Sequence, residues 1–149
     1  MQVRQVMTQN PTCCTPDTRL QEVANMMVVH HCGAIPVVGN LETRHPIGII
    51  TDRDIACRSL AEGKNPLQMT AQECMSTPVV TVRPDNSIEE CCRLMEQNRI
   101  RRIPVVNAKG GCEGIVAQAD IARKGPDFET VDILKAISRP TEAASFVAV

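Results

Sequence analysis

Two stretches of this sequence combine residue types that suit contacts with a phosphate and a sugar. The first is Gly48-Ile49-Ile50-Thr51-Asp52-Arg53-Asp54-Ile55, where an apolar strand runs into Thr51, a helix-capping residue, and Asp54 falls in the first turn of the predicted helix. Backbone N–H groups and the dipole at a helix start favour a phosphate. A carboxylate one turn in can accept two hydrogen bonds from a ribose diol. The same residues also read as a plain helix start, with Thr51 as cap and Asp54 complementing the dipole. The second stretch is Gly114-Ile115-Val116-Ala117-Gln118-Ala119-Asp120-Ile121. It keeps the carboxylate at Asp120, but Ala117 can neither cap a helix nor bond a phosphate. Arg101 and Arg102 lie shortly before it, and guanidinium groups bind phosphate in a forked geometry.

Other chemistry-bearing residues are fewer. His30-His31-Cys32 offers three metal-ligand types without the spacing of a zinc motif, so no metal site is expected. Cys13-Cys14 is a vicinal pair that can be oxidised or modified if exposed. Cys91-Cys92 falls on a helical apolar stripe and reads as core. There is no Gly-rich phosphate loop, no Ser-His-Asp arrangement and no evident carboxylate pair, so an enzyme is not expected.

The two stretches belong to a duplication. Met7, Asn10-Pro11, Pro16-Asp17 and Ile35-Pro36-Val37-Val38 are matched 68 residues later by Met75, Thr77-Pro78 (one residue short of that offset), Pro84-Asp85 and Ile103-Pro104-Val105-Val106. The offset falls to 66 at Gly48 and Gly114, after one loop. Such self-similarity implies two copies of one supersecondary unit, each covering the other's apolar face, with a seam between them where ligands tend to sit.

Each copy reads as strand, helix, strand, strand, helix. Thr12 to Thr15 is short and extended, and Pro16 stops it. Thr18 and Gln21, like Asn86 and Glu89, have capping-box spacing. Leu20, Val23, Ala24, Met27 and Val28 form one core-facing stripe, and Met26 and Val29 suggest a second buried face. Ile88, Cys91, Cys92 and Met95 form the matching stripe. Residues 3–58 and 74–123 are the expected units, 59–73 the linker and 124–149 a tail with a helix over 129–137 that Pro140 ends.

Composition narrows the function classes. A net charge of −1 gives no electrostatic reason to expect nucleic acid or an anionic membrane. With no Trp or Tyr and only two Phe, the chain lacks base-stacking platforms. No apolar run approaches the ~18 residues of a membrane span, and the N-terminus lacks the apolar stretch of a signal peptide. A cytoplasmic protein is expected, and its eight cysteines are not expected to form a disulfide framework.

The two Gly-to-Ile stretches and the paired Ile-Pro-Val-Val segments resemble the CBS-domain pair, or Bateman module, over roughly residues 3 to 123. Ala34-Ile35-Pro36-Val37, Arg101-Arg102-Ile103-Pro104-Val105 and Lys135-Ala136-Ile137-Ser138-Arg139-Pro140 further resemble the stand-alone two-CBS proteins of the hypoxic response protein type. The resemblance implies an α+β (α/β) fold of two pseudo-twofold-related units, each a small three-stranded sheet with two helices, commonly dimerised. It also implies two clefts that take adenosyl ligands: AMP, ADP, ATP, S-adenosylmethionine or NAD. Cleft A would use Thr51, Arg53 and Asp54, with adenine near Thr77, Pro78, Val79 and Val80. Cleft B would use Asp120, Arg101, Arg102 and Ile115, with adenine near Asn10, Pro11, Thr12 and Cys13. Cleft A's pre-proline segment, Cys32-Gly33-Ala34-Ile35, offers no cation, so cleft B suits the more charged ligand. The implied function is a regulatory module read by a separate partner protein. A ligand-free structural or stress-associated dimer and a thiol switch at Cys13 and Cys14 are the competing readings.

Overall fold

Two hairpins with the same irregularity lie at the centre of the molecule. The structure is a computed structural model that describes residues 1–125 together with 127, 131, 134 and 135. Strand β2 (Ala34–Val38) pairs antiparallel with β3 (Pro46–Thr51), and β4 (Arg102–Val106) with β5 (Cys112–Ala117). Both ladders shift register at the matching place, between Val37 and Val38 and between Val105 and Val106. The duplication inferred from the sequence therefore extends to a bulge.

The leading extended segment of each copy joins its hairpin by one parallel bridge, Cys14 to Val37 and Val82 to Val105. Prolines account for its shortness. Cys14 N donates to Pro36 O and Val38 N donates to Cys14 O. The next donors along that edge would be the nitrogens of Pro36 and Pro16, which carry no hydrogen. Pro104 and Pro84 repeat the arrangement in the second copy.

Just before these segments the chain crosses over. Strand β1 (Thr8–Gln9) pairs antiparallel with β5 of the second copy, and Ser76 bridges to Ile49 in β3 of the first. The glycines of the two Gly-to-Ile stretches make room for this crossing. A Cβ on Gly114 would come 2.6 Å from Met7 Sδ and 3.2 Å from Thr8 O; one on Gly48 would come 2.9 Å from Met75 Sδ and 3.1 Å from Ser76 O. The cores are interleaved accordingly. Val3 and Val6 are buried with Val82, Ile88, Met95, Ile103 and Ile121, whereas Met69, Ala71 and Cys74 are buried with Leu20, Val23, Ile35 and Ile50.

Helix α1 (Leu20–His30) buries Leu20, Val23 and Met27, and α4 (Ile88–Asn98) buries Ile88, Cys91, Cys92 and Met95. Within one chain the expected stripe of α1 is only partly buried, since Ala24 and Val28 are exposed, and of the expected second face Val29 is exposed and Met26 half-buried. The expected capping boxes are also corrected. Thr18 and Asn86 accept from Thr15 N and Arg83 N one turn earlier, tightening the loop. The helices begin a residue later, with Arg19 and Ser87 as N-caps. The short helices are α2 (Asp52–Arg58), α3 (Ala71–Cys74) and α5 (Gln118–Lys124). Among the described residues no helix is long and apolar enough to cross a membrane. The helix expected over 129–137 lies outside the described residues.

Candidate functional site

The start of α2 carries out the capping reading in full. Thr51 Oγ1 accepts from Asp54 N at 3.0 Å, and Asp54 Oδ2 accepts from Thr51 N at 3.0 Å. The crossing segment then brings Ser76 onto the same carboxylate, its hydroxyl donating to Asp54 Oδ1 at 3.3 Å. Ser76 is held there by paired backbone bonds to Ile49 and by Arg58, which also donates to the Cys74 and Met75 carbonyls. Thr77, Pro78, Val79 and Val80 follow directly, the first two exposed and the last two half-buried. Thr51, Asp54 and this wall are therefore neighbours. A carboxylate offers about four lone-pair directions, so half-buried Asp54 keeps acceptor capacity beside its bonds to Thr51 and Ser76. Arg53 is exposed, and its backbone N–H is bonded to Asp52 Oδ1.

The start of α5 is built differently. Ala117 supplies no capping hydroxyl. Asp120 accepts from Ala117 N at 2.8 Å and from Arg123 at 3.0 Å, and is only 5% exposed. Its ion-pair partner is thus Arg123, not Arg101 or Arg102. Those two residues line an open cavity of about 360 Å³ with Ala117, Gln118, Ala119, Ala122 and Leu134. Arg101 O also accepts from Gln118 N, fastening the pre-proline segment to the helix start.

Arg102 reaches the other copy. A Cβ on Gly33 would meet Asp52 Oδ2 at 3.0 Å and Arg102 Nη2 at 3.2 Å. Gly33 stands where the second copy has Arg101. The first copy is thus small where the second sends in a guanidinium.

Asn10, Pro11, Thr12 and Cys13 lie at the other end of β5. Asn10 N donates to Glu113 O, while Ala117 and the cavity are at the strand's far end. None of these four residues lines the cavity, nor do Asp120 and Ile115. The structure thus gathers Arg101 and Arg102 at one cavity and separates them from the expected adenine wall of cleft B.

Cys13 and Cys14 face opposite ways, as successive residues of an extended segment do. Both are buried, so they are not an exposed vicinal pair. Burial pushes the Cys14 thiol up to about 12, and Cys13 and Glu22 add to the effect. Two residues absent from the expected sites matter here: Ser76, and Arg44 in the β2–β3 loop, which donates to Pro11 O and Cys13 Sγ. Ser76 is flagged only by preceding Thr77. Arg44 carries no local signal, since the residue it contacts is 31 positions away. His30 and His31 are exposed at the end of α1, where His31 takes a left-handed φ of 51°. Among the described residues no group of three His, Cys, Asp or Glu side chains could hold a metal ion.

The CBS domain model matches residues 3–60 and 71–127. Hypoxic response protein 1 of Mycobacterium tuberculosis is 37% identical over 142 residues, 95% of this chain and 97% of that protein. The CBS domain-containing protein YhcV of Bacillus subtilis is 40% identical over 120 residues, 80% of this chain and 82% of that one. The crystal structure of Hypoxic Response Protein I with two coordinated zinc ions superposes with a TM-score of 0.75 at 35% identity, covering 85% of this chain and all of that one. The CBS domain pair of MJ0100, solved with 5'-methylthioadenosine and S-adenosyl-L-methionine, gives a TM-score of 0.74 at 28% identity, covering 83% and 98%. With two hairpins of equal register, crossed leading strands and a family match over both copies, this chain belongs to the CBS-domain family and carries the domain twice, as a Bateman module.

Proposed function

We propose that this chain is a regulatory module that binds an adenosyl compound between its two units, its phosphates held by Arg101 and Arg102. The observation that carries this reading is the open cavity of about 360 Å³ with both guanidinium residues in its lining. Its size falls within the roughly 300–1,000 Å³ of small-molecule sites. The adenosyl compounds bound by the MJ0100 pair support the ligand class. Cleft A, with Thr51, Asp54 and Ser76, suits a less charged adenosyl group such as S-adenosylmethionine. The module works as a homodimer in the cytoplasm. Ligand binding shifts the relation of the two units by its differential affinity for their arrangements, and a separate regulated protein reads the shift.

The test is a melting-temperature titration of the full chain with AMP, ATP and S-adenosylmethionine, followed by equilibrium dialysis. ATP should stabilise the wild type. Two charge-assisted contacts of ~1.5–3 kcal/mol each predict that the Arg101→Ala/Arg102→Ala double variant binds ATP at least about 100-fold more weakly. Asp54→Ala should remove binding in cleft A. No response to any of the three compounds would sink the reading.

One observation favours a ligand-free structural dimer instead. Asp54 and Asp120 are both engaged by their own chain, and Asp120 is nearly inaccessible. Under that reading the chain copurifies with no nucleobase, and a protein without Trp or Tyr shows no strong band near ~260 nm.

A further inference from the structure

Away from the cavity, a second polar cluster joins the two copies. Cys13, Cys112 and Val38 form a small buried group separate from the main cores. Cys13 follows β1 in the first copy, and Cys112 opens β5 in the second. Cys13 is 7% exposed and Cys112 3%. Cys13 Sγ donates to Pro11 O at 3.5 Å and Cys112 Sγ to Gly114 O at 3.4 Å, and the two thiols are neighbours in the cluster.

Arg44 closes the cluster. Its Nη2 donates to Cys13 Sγ at 3.3 Å and to Pro11 O at 2.8 Å, and its Nε donates to Cys112 O at 3.1 Å. Its own carbonyl accepts from Cys112 N at 2.8 Å. Arg44 sits at a left-handed φ of 56°, where the matching loop of the second copy has Gly110 at 82°. That conformation disfavours a residue with a Cβ, and three side-chain bonds, one of them across the seam to Cys112 O, hold it there. The cluster also divides labour between its sulfurs. The neighbouring Cys112 thiol, aided by the Arg44 charge, holds Cys13 below the usual thiol range against the opposing effect of burial, while the neighbouring Cys13 and burial push Cys112 above it. One sulfur is disposed to be the nucleophile and the other keeps its proton.

We propose that Cys13 and Cys112 are an oxidation site at which hydrogen peroxide installs a disulfide between the two copies. The Cys13 thiolate attacks the peroxide, so an S–O bond forms as the O–O bond breaks. The departing hydroxide takes up the proton that Cys13 had lost and leaves as water. Cys112 then attacks the Cys13 sulfenic sulfur. The S–S bond forms, the S–O bond breaks, and hydroxide leaves as a second water with the Cys112 proton. Two thiols lose two electrons and two protons, and one peroxide becomes two waters. The site stands independently of the ligand reading.

The test treats reduced full-length protein with equimolar hydrogen peroxide, alkylates the remaining thiols and maps the digest by mass spectrometry. The expected product is a Cys13–Cys112 cross-linked peptide, lighter by two hydrogens than the reduced pair. It should persist in Cys14→Ser. Cys112→Ser should stop at a dimedone-reactive sulfenic acid on Cys13. Arg44→Gly keeps the left-handed turn as Gly110 does, and should slow cross-linking several-fold. The oxidised protein should melt higher than the reduced one, because the cross-link closes a long loop. Recovery of Cys13 and Cys112 as alkylated thiols while exposed Cys57 is oxidised would overturn the site, as would Cys13 joined to any other cysteine. An Arg44→Gly variant that oxidises at the wild-type rate would remove Arg44 from it.

Discussion

The two copies share a backbone and differ in where they keep their polar groups. The first ends β3 in a hydroxyl that caps α2, leaves Asp54 half-buried against Ser76, and is small before its strand proline, at Gly33 and Ala34. The second ends β5 in a methyl group, seals Asp120 under Arg123, and puts two guanidinium groups before its proline. These differences are complementary: a larger residue at 33 would collide with Arg102 from the other copy. Each half thus keeps polar groups that the other lacks.

Breaking the crossed packing should have the largest effect on that comparison. Val3 is fully buried in the second copy's core, at the place where the first copy's core holds Ala71. Val3→Ala should cost about 1.5–3 kcal/mol. Native-state hydrogen exchange should show protection falling first in β4 and β5; loss beginning in β2 and β3 would contradict the crossing.

Exchanging the caps should come next. Thr51→Ala should cost about 1 kcal/mol by denaturant unfolding, and Ala117→Thr should gain a similar amount by giving α5 the cap it lacks. If Ala117→Thr is neutral, the helix starts differ by more than a hydroxyl. The smallest effect is expected at Gly33. Gly33→Ala meets only the ends of the Asp52 and Arg102 side chains, which can move, so stability should change by less than about 0.5 kcal/mol. Displacing Arg102 should nevertheless weaken ATP binding a few-fold. Unchanged affinity would separate Gly33 from the cavity's function.

The duplication was legible because paired motifs at a near-constant offset survive any local ambiguity, and the apolar stripe of α4 matched its buried face residue by residue. The caps were misplaced by one position because Thr18 and Asn86 can bond either the preceding loop or the following helix, and composition does not choose between these. On α1, Val28 and Val29 are as apolar as the residues that are buried, so periodicity could not separate the faces. The crossing was hidden for a deeper reason. Met7 to Gln9 and Met75 to Ser76 fit either hairpin equally well by pattern, and both hairpins offer a glycine at the crossing, Gly48 or Gly114. Ser76 and Arg44 stayed hidden with it, since each acts on a residue brought near by that crossing.

The exchange of leading strands also bears on how such a chain could have arisen. A polypeptide with one copy alone would have a leading strand whose berth lies on someone else's hairpin. It could complete its sheet and its core only by trading that strand with a second identical molecule, giving a closed, twofold-symmetric swapped pair. Joining two such molecules end to end would produce the present connectivity without redrawing any contact, and would free each half to drift from its twin. Expressed separately, residues 1–68 should therefore carry a strand and two valines made for a missing partner.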